Sequence, residues 1–255
     1  MKSEKRERLG KLVKEIFWFH KRRYGSRRVS DELKEQGTRA GRYRVRRLMR
    51  EQNLWAIQPC RFRPRTTDSI NERASPNLLK ESAVNEPKAA LVGDITYLPL
   101  MNGKWCYLAA FQDRVSKRVA GWKVADRMTD DLVIAALDKA LTRGLVERDA
   151  IIHSDRGSQY SSNNFRKLLS KNGLRQSMSA AGNCYDNAQA ESFWARFKIE
   201  LLEGGCFRSV EEARIETFSY IEGYYNRIRK HSALGYKSPE QFERQFENQK
   251  LRLAA

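Results

Sequence analysis

Three apolar runs, ALVGDITYLPL (90–100), KWCYLAAFQD (104–113) and RVAGWKVAD (118–126), follow one another with only an Asn-Gly step or a short polar turn between them. Connections this short fit an antiparallel meander, because a parallel pair needs a crossover of a dozen residues or more. The period then changes. TDDLVIAALDKALTRG (129–144) sets Val133, Leu137 and Leu141 on one helical face, with Thr129 as N-cap, acids in the first turn and Gly144 at the end. AIIHSD (150–155) reads as a fourth strand, SNNFRKLLSKNG (162–173) as a helix and RQSMSA (175–180) as a fifth strand. This order describes an α/β unit with a mixed five-stranded sheet flanked by helices.

The preceding residues have helical periodicity. Leu9, Val13, Ile16, Phe17 and His20 share one face, and Leu33 lies on a second helix that ends before Gly37. A third helix, TRAGRYRVRRLMREQNLWA (38–56), turns Val45, Leu48 and Met49 inward and spreads Arg42, Arg44, Arg46, Arg47 and Arg50 over its remaining surface. Residues 21–50 hold twelve basic and three acidic side chains. Such a run is often just a solvated face. Two helices joined at a glycine, the second rich in arginine, also suit an all-α helix-turn-helix with that helix in the major groove.

The whole chain has 49 Lys and Arg against 31 Asp and Glu, a net charge of +18. That excess favours a polyanionic partner, a trait shared with ribosomal and membrane-surface proteins. Residues 57–89, with Pro59, Pro64, Pro76 and Pro87, have little periodicity and read as a linker. The expected organisation is a helix-turn-helix domain over 1–56, the linker 57–89, a catalytic core over 90–204 and a helical extension over 205–255. In that extension, 209–246 reads as a long helix, a turn at Gly235–Ser238 and a last helix. Ile215, Phe218, Ile221 and Tyr225 form its expected inner face, and Arg227, Arg229, Lys230 and His231 an exposed basic patch open to solvent or DNA.

Cys60, Cys106, Cys184 and Cys206 are far apart and have no histidine at ligand spacing, which argues against zinc and for reduced thiols. No run of 18 apolar residues suggests a membrane span, and MKSEKRERLG has no apolar signal-peptide core. An intracellular protein is expected.

Asp94 interrupts an otherwise apolar strand in VGDITY, and Asp155 ends the strand AIIHSD. A buried acid is costly unless paired or bound to a cation, whereas an acid at a strand end can simply form a turn. If the first and fourth strands are neighbours, both carboxylates reach one edge. AQAESFWARFKIELLEG (188–204) adds a helix with a Phe193, Phe197, Leu201 stripe, and places Glu191 and Lys198 nearly two turns apart on another face. Three crowded acids call for a hard divalent cation, and two ions about 4 Å apart could drive in-line phosphoryl transfer. Lys198 could then hold a DNA phosphate. A glycosidase-like acid pair and three unrelated surface acids are the other readings of these residues.

Taken together, RRVSDELKEQG, RVRRLMREQNL, GDITYLPL, HSDRGSQY, GNCYDNAQAESFW and the tail YYNRIRKHSALGYKSPEQF (224–242) resemble the catalytic frame of insertion sequence three family transposases. The 35 residues between Asp155 and Glu191 match that family's spacing. The resemblance implies a ribonuclease H-like fold with a retroviral-integrase-like Asp-Asp-Glu core. Asp94, Asp155 and Glu191 would be catalytic metal ligands for Mg2+, with Mn2+ as a substitute and two ions in the site. Lys198 would contact DNA beside the arginines of the third helix, Asn187 would steady Glu191 or touch DNA, and His153 would support the site or serve packing. Gly157 would serve the turn, and Asn183 and Asp186 match positions near the site. Leu91 stands where relatives often have tryptophan.

The implied reaction is cleavage at the element's ends and joining of the 3′ hydroxyl to target DNA, without a serine or tyrosine nucleophile. The implied partners are terminal inverted repeats, target DNA, further copies of the chain and an upstream frame A product, with no membrane, in the bacterial cytoplasm at the nucleoid. A non-catalytic regulator derived from a transposase, or a general ribonuclease H-like nuclease, are the alternative readings.

Overall fold

The periodic apolar residues of the first fifty positions all turn inward in the computed structural model, which describes residues 2–57, 75–81, 83–179 and 188–254. The chain divides into two units, Met1–Arg61 and Phe62–Ala255. In the first, α1 (Lys2–Phe19), α2 (Ser26–Glu35) and α3 (Arg42–Glu51) bury Leu9, Val13, Ile16 and Phe17, then Val29 and Leu33, then Val45, Leu48 and Met49. His20 is buried as its spacing suggested and stacks on Tyr24 at 3.5 Å between ring centres. Between α2 and α3, Gly37 takes a φ of 78°, and Ser30 donates to the Ala40 carbonyl at 2.6 Å. The left-handed backbone is one that glycine adopts without strain.

The second unit is built on one sheet with strands β1 (Ala90–Pro99), β2 (Trp105–Asp113), β3 (Val119–Ala125), β4 (Ile151–Ser154) and β5 (Arg175–Met178). Their order is β3-β2-β1-β4-β5. The first three pair antiparallel, and β1–β4 and β4–β5 pair parallel. The meander and both later strands therefore form where the sequence indicated. A helix α4 (Leu78–Glu81) precedes the sheet; α5 (Asp130–Thr142), α6 (Ser158–Ser161), α7 (Asn163–Lys171) and α8 (Ala188–Leu202) are interleaved with or follow its strands. The one-turn α6 has no counterpart in the sequence periodicity, being too short to show one.

Strand alternation sends side chains to opposite faces, and each face has its own core. Leu91, Phe111 and Ile152 meet Val133, Leu137 and Phe165 from α5 and α7 on one side. On the other, Leu98, Leu108, Trp122 and Val124 meet Phe193, Trp194 and Phe197 of α8, together with Tyr220, Ile221 and Tyr225. Each such side chain, fully buried, contributes roughly 1.5–3 kcal/mol.

Part of the segment read as a linker belongs to this unit. The Met178 N–H donates to Pro76 O, Leu78 N–H donates to Ser177 Oγ at 3.0 Å, and Leu79 packs with Val92 and Ile151. The outer strand β3 is covered too: Asn226 accepts from Val119 N–H at 2.9 Å and donates to Val119 O at 3.0 Å. One amide thus replaces the missing neighbour of an edge strand.

The C-terminal region differs from the expected long helix. It forms α9 (Val210–Phe218), a π-helical turn Ser219–Tyr225, a 3₁₀ turn Ser232–Leu234 and α10 (Pro239–Ala254). Ala213 and Thr217 of α9 and Tyr220, Ile221 and Tyr225 of the π turn are buried, while Ile215 and Phe218 are each 58% exposed. No helix among the described residues is long and apolar enough to cross a membrane.

Candidate active site

Parallel pairing of β1 with β4 runs from Ala90↔Ile151 to Val92↔His153. Carrying that register two residues further sets Asp94 opposite Asp155, at the end where the parallel ladder stops. The neighbour relationship that the two acids required is therefore present.

Asp94 is half-buried on the face covered by α8. Its Oδ1 accepts from the Ile95 N–H at 2.8 Å, and its Oδ2 from the Trp194 indole N–H at 3.0 Å. Burial first, then the charge of Asp155 and more weakly that of Glu191, push the Asp94 carboxyl up to about 7 against those two bonds. Such a shift marks a site where negative charge lacks a counter-charge. Asp155 lies just past β4, exposed on one side, and accepts from the Gly157 N–H at 3.0 Å. It is therefore a turn former as well as a site acid, and burial against the protein raises its carboxyl.

Glu191 is exposed in the first turn of α8. Lys198 is half-buried on the same helix; burial lowers its ammonium, and the charge of Asp94 acts in the opposite direction. Asp94 is thus the hub, with Asp155, Glu191, Lys198 and Trp194 around it. Among the described residues, no three carboxylate, imidazole or thiolate groups converge closely enough to hold an ion as they stand. The donor set is nonetheless all hard oxygen, which suits Mg2+ or Mn2+, and a cation supplies the missing counter-charge at Asp94. Each Asp94 oxygen accepts a single hydrogen bond and keeps a lone pair for a ligand.

Helix α8 is pinned at both ends. Gln189 donates to Gln112 Oε1 at 3.0 Å and Asp113 O at 2.8 Å, and accepts from Lys117 at 2.9 Å. At the far end, Glu200 accepts from Arg229 at 2.5 and 2.8 Å and from Tyr220 at 3.0 Å. Arg229 is 2% exposed and Lys230 is also buried, so two members of the expected basic patch lie inside the protein. A basic run reads as surface when its acidic partner lies 29 residues away. Arg227 is exposed near Glu240, and His231 is half-buried against Arg229.

His153 is fully buried in β4 with its ring nitrogens against Ser177 Oγ at 2.8 Å and Ser179 Oγ at 3.2 Å. It ties β4 to β5 beneath Asp155. Trp194 and the pins on Gln189 and Glu200 were not singled out from sequence; the indole's place one turn after Glu191 was the available signal.

In the first unit, Tyr43, Arg46, Arg47 and Arg50 share the exposed stripe of α3, and Arg44 is exposed beside it. Arg42 is half-buried over the Tyr43 ring, at 5.2 Å. Arg47 bonds Glu51 at 2.9 Å, and Glu51 also accepts from Arg6 at 2.7 Å. Asn183, Asp186 and Asn187 lie outside the described residues, as do Cys60 and Cys184; Cys106 and Cys206 are free thiols.

Family models recognise the same architecture: an HTH-like domain over residues 4–62 and integrase core domains over 84–184 and 172–239. Transposase InsF for insertion sequence IS3A of Escherichia coli K12 is 41% identical over 239 residues, covering 93% of this chain and 83% of that protein. A 31 kDa protein of insertion element IS600 from Shigella sonnei is 40% identical over 224 residues, covering 88% and 82%. The chain belongs to the IS3 family of transposases. The solved catalytic core of HTLV-2 integrase with magnesium aligns at a TM-score of 0.48 and 16% identity, over 62% of this chain and 97% of that one, a likeness too weak to carry an argument of its own.

Proposed function

We propose that this chain is a DNA transposase that cleaves the ends of its element and joins the freed 3′ hydroxyl to target DNA. The observation that supports the reading is the parallel pairing of β1 with β4, which brings the strand of Asp94 beside the strand that ends at Asp155, with the charges of Asp155 and Glu191 both felt at Asp94. Asp94, Asp155 and Glu191 would hold Mg2+ or Mn2+, with room in the chemistry for two ions. Held there, a divalent cation would supply Lewis-acid stabilisation of the attacking and leaving oxygens.

The chain's own residues do the positioning. Trp194 and the Ile95 N–H fix the Asp94 carboxylate, and the Gly157 N–H fixes that of Asp155. Glu191 has to be drawn toward that pair from the first turn of α8. Lys198 offers a flexible point charge for a phosphate beside the cut. His153 holds β4 on β5, which keeps the strand end below Asp155 in place. In the helix-turn-helix unit the α3 arginines, Arg42, Arg44, Arg46, Arg47 and Arg50, supply phosphate and base-edge contacts to the terminal repeats, and Asn187 adds a contact near the core. The proposed division keeps a helix-turn-helix domain over 1–56, a catalytic core over 90–204 and a helical extension over 205–255, with residues 75–81 of the expected linker taken into the core. Further copies of the chain on the DNA would bring two ends together, and the family resemblance adds an upstream frame A product as a candidate partner; the bacterial cytoplasm is where such DNA is met.

Cleavage of labelled element ends with Mg2+, alongside gel-shift affinity, tests this. Asp94→Asn, Asp155→Asn and Glu191→Gln should each abolish cleavage and leave affinity nearly unchanged. Full cleavage by Glu191→Gln would overturn the triad. Binding without cleavage in the natural protein would favour a regulator, and cleavage without end preference a general nuclease.

A further inference from the structure

Tyr160 lies in α6, three residues after Gly157, and its ring is an ordinary core member. It is 1% exposed and meets Phe111 and Phe165 edge-on at 6.3 and 5.6 Å. Its hydroxyl is not ordinary. Among the described residues, the phenolic oxygen is buried with no hydrogen-bond partner, a state that disfavours folding unless something else satisfies it. A phenylalanine would fill the same space without that cost.

The position of the ring indicates what the hydroxyl is for. A Cβ built on Gly157 would lie 3.1 Å from both Asp155 Oδ1 and Gln159 Oε1 and 3.6 Å from Tyr160 Cδ2, so the carboxylate and the edge of the ring flank one glycine. Phe111, edge-on to Tyr160, presses on Gly93 so closely that a Cβ there would come within 2.4 Å of its ring. Gly93 precedes Asp94 on β1, so Tyr160 packs, through Phe111, beneath the strand that carries that acid. Burial, then the charges of Asp94 and Asp155, hold the phenol protonated well above its usual range. The phenol, within the influence of both acids, is therefore a donor.

We propose that Tyr160 is a positioning residue for the metal centre: its phenol donates to a water molecule that in turn donates to the carboxylates of Asp94 and Asp155. That water satisfies the buried phenol and leaves each carboxylate lone pairs for the cation. The two acids are thereby held together before the ion arrives. The inference rests on the reading of this edge as a carboxylate metal centre.

The test is Mn2+ binding to the full-length chain, followed by electron paramagnetic resonance of the free ion, with Mg2+ competition. The proteins compared are the natural one, Tyr160→Phe and Asp155→Asn. Tyr160→Phe should fold and melt cooperatively without metal, because its ring packing is retained, yet bind Mn2+ roughly tenfold more weakly. Asp155→Asn should lose binding. If the natural protein binds and Tyr160→Phe binds equally well, the metal centre stands and the role of Tyr160 is refuted. If the natural protein binds neither ion, both fall.

Discussion

Trp194 donates its indole N–H to Asp94 Oδ2 across 3.0 Å, from one turn beyond Glu191 on the same helix. A strand acid and a helix acid are therefore joined through a third residue, so displacement of α8 moves both. Trp194 also packs against Phe193 and Phe197 in the core on that face of the sheet. The bond and the packing can be separated.

Trp194→Phe retains most of the apolar packing and removes the donor. The expected cost in stability is about 1–2 kcal/mol, from the missing bond and a small cavity. Cleavage should fall roughly tenfold, as for other residues that orient a metal ligand. Tryptophan emission during a Mg2+ titration provides a second measurement. The change seen in the natural protein should vanish in the variant, and an unaltered response would show that Asp94 is held by other means.

The sheet was legible because its strands announce themselves locally: apolar runs, an Asn-Gly turn and short connections leave few topologies. Asp94 was legible for the opposite reason, an acid where an acid is costly. The link from Asp155 to Glu191 needed the family spacing, since nothing in a helix periodicity says which strand end it will meet. What escaped was non-local. The π turn at Ser219–Tyr225 packs Tyr220, Ile221 and Tyr225 on the second face of the sheet, and the apparent stripe of Ile215 and Phe218 is a regular spacing that faces solvent. Nothing in the sequence separates Tyr160 from the rest of HSDRGSQY; its buried hydroxyl does.

Arg229 and Glu200 are 2% and 5% exposed and joined by two hydrogen bonds. Arg229→Ala leaves a carboxylate buried without its cation, and urea unfolding should show a loss of about 3–5 kcal/mol. The double variant Arg229→Met with Glu200→Leu should recover much of that loss, because neither charge remains to be desolvated. Equal instability of the single and double variants would mean that shape, not charge, is what Arg229 supplies.

On α3, Arg46 and Arg50 are exposed, whereas Arg47 is shared with Glu51. Replacing Arg46 and Arg50 with alanine should flatten the salt dependence of binding to element ends by about 0.9 in slope for each DNA phosphate no longer neutralised. Arg47→Ala should change it less. An unchanged slope in the double variant would turn this stripe away from DNA.

Glu222 joins the π turn to the sheet and to α5, accepting from Trp122 at 2.8 Å and from Arg143 at 2.7 and 2.8 Å, with Lys139 at 3.7 Å. Burial alone would raise its carboxyl; the bonds from Arg143 and Trp122 and the charges of Arg143 and Lys139 together outweigh it and hold the group below 4.5. A folded-state value below the unfolded one means that the unfolded chain binds the proton more readily. The stabilisation is therefore fully present above about pH 4.5 and is lost as pH falls through the lower, folded-state value. Glu222→Gln cannot titrate, so the gap in melting temperature between it and the natural protein should be widest near pH 7 and narrow below about pH 4.5. Melting followed by circular dichroism from about pH 3 to 7 measures that gap directly. A gap of constant width across the range would mean that Glu222 stabilises the fold as a hydrogen-bond acceptor in either protonation state.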